Sequence, residues 1–167
     1  MEEPQLGGTV TRTQGFWSTH FDFARETWLE ISPADRIVGS KNVGDGASDV
    51  DEMLGGFWSN IAKKATGKGK AAKRSSLDRA RMQLVQQLLA AMLNRQAFGT
   101  NDDGLIATGK AAFAGSDRSA ILSAASELAA FNEGGDEEPL PKGVDPGKAN
   151  LKTAQKKADK AFWDMLP

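Results

Sequence analysis

The residues best suited to chemistry sit near the start of the chain, where Ser18, the single histidine His20 and Asp22 alternate within five positions. A Ser-His-Asp relay needs three side chains converging on one point, whereas alternate residues at a helix start point around its cylinder. The string does not read as a local triad. His20 could act as a general acid or base only with a remote carboxylate such as Glu26, Asp35 or one from the acidic stretch at 45–52, and the chemistry would then be that of a hydrolase. Histidines at helix ends more commonly have a structural role.

A second cluster is made of oxygen donors. Asp45, Asp49, Asp51 and Glu52 crowd a glycine turn and would suit a hard cation, so calcium is the one cofactor the sequence offers. The order D-G-A-S-D-V-D-E nevertheless departs from the calcium-loop template, whose ligands alternate and end on a Glu at the twelfth position. The plain alternative places Asp49, Asp51 and Glu52 in the first turn of a helix, at its positive end. Gly104 to Ala111 nearly spells a phosphate-binding loop, but Ala111 stands where Ser or Thr would hold magnesium, and no strand precedes it. The basic stretch KKATGKGKAAKR, Lys63 to Arg74, with Arg79 and Arg81 beyond, could neutralise phosphates. Without interleaved aromatics to stack bases it reads as a solvated loop, and nucleic acid is not the expected partner.

The most distinctive recurrence is aromatic. Phe-Trp pairs occur at Phe16-Trp17, Phe57-Trp58 and Phe162-Trp163, and the first two share the string GFWS. The flanks do not align and no fixed period emerges, so duplication is not inferred. The expected structural role puts Phe in the core and Trp in an outer layer where its indole N–H finds an acceptor. The functional alternative makes a Trp face a platform for a sugar or peptide, with Trp17, His20, Trp58 and Asn60 as the candidate binding residues.

These residues must be positioned by a chain of 167 residues, long enough for one domain with a core that needs no staple. A hydrophobic share of 40% beside 26% charged residues is that of a folding globular protein. Net charge is −1, so any anionic partner needs a local patch. The absence of cysteine excludes disulfides, thiolate zinc sites and a thiol nucleophile. No apolar run approaches the roughly 18 residues of a membrane span, and no signal peptide opens the sequence as given.

Spacing predicts an all-α protein: an irregular multi-helix bundle around one long amphipathic helix, about 76–96, with little or no β-structure. Residues 1–14 read as an extended lead-in, with at most a short pairing at 8–13, and 15–167 as one helical domain. A first helix starts at Thr19 and runs to Glu30, and Ser32-Pro33 begins a short one ending near Gly39. Asp49 to Ile61 is helical despite Gly55-Gly56, which weaken it by roughly 1 kcal/mol each unless a close contact requires them. Ser75 or Ser76 caps the central helix, whose Leu77, Leu84, Val85, Leu88, Leu89, Met92 and Leu93 fall on one stripe. Helices then cover Leu105 to Phe113 and the segment after Gly115-Ser116 through Phe131. Asn132 to Pro146 is an exposed connection, and one last helix runs from Gly147 through Leu151, Ala154, Ala158, Phe162 and Met165.

With Gly15-Phe16-Trp17-Ser18-Thr19-His20, Leu54 to Ile61 and Leu77 to Leu84 in this order, the chain resembles a domain of predicted secreted and cell-surface proteins of bacteria and archaea. That domain has a GFW-x-T-H opening and a later LDxARMQLLQQLLAAxLN helix. Ala97-Phe98-Gly99, Phe131-Asn132, Gly135-Asp136 and the closing Phe162-Trp163-Asp164 are similar too, so the likeness spans nearly the whole chain. It implies an extracellular or cell-surface setting, often within a larger secreted protein whose other domains would be partners; a cell-surface glycan or a peptide is the partner expected of the Trp platform. Cysteines that flank the Ala-Phe-Gly segment in such domains are replaced here by Arg95 and Thr100, so the disulfide they would form is missing. The function expected is a non-enzymatic module for ligand binding or surface assembly, with a hydrolase at His20 or a phosphate binder at 63–81 as alternatives.

Overall fold

The computed structural model describes residues 9–44 and 50–167. Seven α-helices are found among them, five of which pack directly against or around the longest, with only a two-stranded ribbon of sheet. In chain order these are α1 (Gln14–Thr19), α2 (Phe21–Glu30), α3 (Val50–Trp58), α4 (Ser76–Phe98), α5 (Leu105–Ala114), α6 (Arg118–Gly134) and α7 (Leu151–Lys157). The ribbon pairs β1 (Ile37–Val38) with β2 (Lys41–Asn42), antiparallel, around a turn in which Gly39 takes φ 63°.

Helix α4 is the axis of the molecule, and its ends are set by local chemistry. Ser75 Oγ accepts from the Asp78 amide at 3.1 Å, and Gly99 closes the helix in the left-handed region with its N–H on the Arg95 carbonyl. Helices α1, α2, α3, α5 and α6 all touch it. The expected single stripe is consequently exceeded: every residue from Leu88 to Asn94 is buried, two turns enclosed on all sides, as a helix surrounded by others must be. Each large apolar side chain removed from water there stabilises the fold by about 1.5 to 3 kcal/mol before entropy is counted.

Buried polar groups tie the outer elements to this axis. Asn94, with 0% exposure, accepts from the Arg12 amide (2.7 Å) and the Trp17 indole (3.0 Å) while donating to the Arg12 carbonyl and to Asn132 Oδ1, both at 2.9 Å. Asn132 passes the network to the carbonyl and side chain of Gln87. Arg81, equally enclosed, donates to the carbonyls of Phe113 and Gly115, satisfying the end of α5 with a cation where its dipole is negative.

Several expected boundaries move. The lead-in is no separate piece from residue 9 onward: Thr11 exchanges hydrogen bonds with Gly135 and its hydroxyl donates to the Asn132 carbonyl. Thr13, not Thr19, is the first cap, its hydroxyl accepting from the Phe16 amide, and a break at His20 separates α1 from α2. Pairing appears at 37–42 instead of 8–13, because strands of two residues are too short to show alternation. The single last helix is also broken: α7 ends at Lys157, the Asp159 amide turns to the Asp51 carbonyl (2.8 Å), and a 3-10 turn over Ala161–Trp163 follows. Gly55 explains the break, since a Cβ there would lie 1.9 Å from the Asp159 carbonyl oxygen; at Gly56 it would lie 2.4 Å from Leu89. The glycine pair serves close approach, which no propensity scale reveals.

Candidate functional site

The four tryptophans separate by depth. Trp17, Trp28 and Trp163 have 0% exposure, whereas Trp58 is only half-buried. Each indole N–H is satisfied, by Asn94 Oδ1, the Val43 carbonyl, the Glu52 carbonyl and, for Trp58, the Ser18 carbonyl at 3.0 Å. The expected arrangement, Phe inside and Trp outside, holds only for Phe57-Trp58; Phe16 and Phe162 pack around the core while their tryptophans fill it. The larger indole removes more apolar area once a buried acceptor meets its N–H. Trp17, stacked on Phe23 with centroids 5.0 Å apart and flanked by Phe16 and Phe98, has no face left for a ligand.

His20 lies at the α1–α2 junction. Its Nδ1 is 2.8 Å from the Phe16 carbonyl and its ring stacks on Phe16 at 4.0 Å. Among the described residues it makes no hydrogen bond to a carboxylate; Thr19 Oγ1, at 3.3 Å, is its other near polar atom. The arrangement secures a helix end.

Trp58 and Asn60, by contrast, are brought together with open space between them. A cleft of about 410 Å³ is walled by Trp58, Ser59 and Asn60 at the end of α3, by Lys63, Lys64 and Ala65 after it, and by Lys160 beyond α7. Its size is that of small-ligand sites. Three lysines line it and, among the described residues, no acidic one does. The Trp58 N–H is already engaged with Ser18, so this indole offers ring surface, not a donor.

The walls are fixed by a dense set of hydrogen bonds. Asn60 Oδ1 accepts from the amides of Ala62 (2.8 Å) and Lys63 (3.0 Å), an Asx turn that directs the chain away from α3. The basic segment, expected as an untethered loop, is pinned: Lys64 N–H to the Ala72 carbonyl and Arg74 N–H to the Ala62 carbonyl close it at its base. Arg74, 4% exposed, donates to the carbonyls of Asn60 (3.2 Å) and Trp163 (2.7 Å) beneath the cleft. Asp164 accepts from the amides of Ala65 and Thr66 and from the Thr66 hydroxyl. Burial works against its ionised form, but those hydrogen bonds, with Arg74 near by, hold the Asp164 carboxyl below its ordinary range. Ser59 Oγ reaches the Lys160 carbonyl at 3.4 Å, joining the two halves.

A larger cleft, about 770 Å³, has a floor of Ile31, Met92, Ile106 and Ala107. Its charges are mutually engaged: Arg95 pairs with Asp102 at 2.8 Å, Asp102 Oδ2 accepts from the Ile106 amide, and Lys110 donates to the Asp35 carbonyl at 2.6 Å. Burial draws the Lys110 ammonium below its usual range, with Asp35 acting the other way. Gly104 to Ala111 is the start of α5 rather than a phosphate loop, and Gly109 faces Leu128 and Leu88, where a Cβ would come within 2.9 and 3.2 Å.

Of the expected calcium donors, Asp45 and Asp49 lie outside the described residues. Asp51 and Glu52 occupy the first turn of α3, where Glu52 Oε1 accepts from the Gly44 amide at 2.9 Å. Among the described residues no group of three acidic, histidine or cysteine side chains could hold a metal ion, and no helix is long and apolar enough to cross a membrane.

Lys160 was not among the residues singled out for binding, and Lys63 and Lys64 entered only within the alternative phosphate-binding segment 63–81. Their signal was present as two lysine-rich segments, but nothing in the spacing shows that residues 63 and 160 share one cleft. No protein-family model, no curated protein and no solved structure matches this chain.

Proposed function

We propose that this chain is a non-enzymatic module of an extracellular or cell-surface protein, and that it binds its ligand in the cleft at Trp58. One observation carries the reading: the half-exposed Trp58 and Asn60 share an open cleft with three lysines and no carboxylate. The larger cleft supports binding less well because its charged groups already have partners. The resemblance to secreted and cell-surface domains supplies the setting. His20, engaged with the Phe16 carbonyl, favours a structural part over hydrolysis.

The indoles themselves provide the test, since three of the four have 0% exposure. Glycans, peptides and cell-wall fragments are titrated while tryptophan emission is followed. A binding ligand should shift the emission of the native chain and not that of Trp58→Phe, with the circular dichroism of the two unchanged. A shift that persists undiminished in Trp58→Phe would place the ligand elsewhere and overturn the reading.

A further inference from the structure

The cleft takes its lining from two lysine-rich segments, its cationic face. Residues 60–74 contain five lysines and Arg74 and no acid; residues 150–167 contain four lysines against Asp159 and Asp164. In a chain of net charge −1 this is a strong segregation. The two segments, some ninety positions apart, are joined by Arg74 to the Trp163 carbonyl, by Asp164 to Ala65 and Thr66, and by Ser59 to the Lys160 carbonyl. Both acids are occupied, Asp164 as described and Asp159 by the Phe162 amide. Among the described residues the ion pairs are Arg81–Asp78 and Arg95–Asp102, so no lysine of this face has a carboxylate partner.

Resting on the reading above, we infer that the ligand is an acidic polysaccharide, a linear chain of sugars bearing carboxylates or sulfates, with one sugar seated on Trp58 and the flanking chain lying across the lysines. Unpaired cations on a protein of slightly negative charge raise the local concentration of a polyanion without attracting anions to the rest of the surface. Lysine ammoniums are hydrated point charges that follow a backbone of spaced anions, while the one arginine of the face is buried and turns its Nε and Nη1 inward to carbonyls. A sugar presents an apolar C–H face to an indole, and the Trp58 ring surface is what the cleft exposes. Single-stranded nucleic acid would need further aromatic platforms for successive bases, and Trp58 is the single aromatic lining the cleft.

The test titrates the full chain with polygalacturonate (carboxylate only), dextran sulfate (sulfate only), neutral dextran and a poly-dT oligonucleotide, following Trp58 emission. At least one acidic polysaccharide should shift it, and the affinity should fall by about tenfold or more between roughly 0.05 and 0.3 M salt as the charges are screened. Which polymer responds assigns carboxylate or sulfate. Lys156→Glu with Lys157→Glu, outside the cleft, should weaken the polymer more than a short oligosaccharide of the same chemistry. Emission shifted only by neutral dextran would overturn the polyanion and leave the module reading intact. Tighter binding of poly-dT than of either acidic polysaccharide would overturn it in favour of nucleic acid. Silence of Trp58 towards all four probes would also overturn the polyanion, and the module reading falls with it only if the peptides and cell-wall fragments of the titration above leave the emission unchanged as well.

Discussion

At the scale of single residues, the side chain that ties the lead-in and α1 to the central helix is Asn94. It satisfies the Trp17 indole, both backbone groups of Arg12 and Asn132 Oδ1 from a fully buried position. Asn94→Leu would leave these groups unpaired away from water, at about 1 to 3 kcal/mol each, so a loss of about 3 kcal/mol or more is expected in urea unfolding. A midpoint shifted by less than the equivalent of about 1 kcal/mol would show that the lead-in is not held there. The sequence displays a lone Asn in an apolar run but not its partners, which come from positions 12, 17 and 132. The same limit explains the inverted Phe-Trp pairs: adjacency says both rings are apolar, while depth is set by which ring finds a buried acceptor.

Elements were legible where their ends are local. Helices α4 and α6 announce themselves through apolar spacing and, for α4, through Ser75, because a cap acts within three or four residues; the end at Gly99 and the cap at Asp117 lie a few positions from the expected 96 and Ser116. The break after α7 and the fastening of the 63–74 segment to the end of the chain were not legible, since both arise from contacts across more than eighty positions. That segment carries a pH dependence. A carboxyl held below its ordinary range contributes stability above that range and loses it as pH falls through its folded-state pKa. Asp164 is such a group, so its tether to Ala65 and Thr66 should be intact at neutral pH and released only as pH falls below the ordinary carboxylate range. Protection of the amides at 65 and 66, taken as exchange relative to the intrinsic rate at each pH, should therefore fall on acidification in the native chain and already be low at neutral pH in Asp164→Asn. Protection that is equal in both chains throughout would contradict the assignment.

For the whole molecule, the long central helix and the near absence of sheet followed from composition and periodicity, and the bundle bears them out. The candidate site was only half legible. Trp58 and Asn60 stand two positions apart and reach the cleft together; Trp17 serves the core and His20 a helix junction. The lysines opposite are contributed by folding. The account thus comes down to one indole that is reachable from solvent and surrounded by positive charge. Comparing iodide and caesium as quenchers of tryptophan emission in the native chain and in Trp58→Phe tests this directly. Iodide should quench the native chain more strongly than caesium, and Trp58→Phe should lose most of that excess. Equal quenching by the two ions, or an iodide excess that survives in Trp58→Phe, would contradict it.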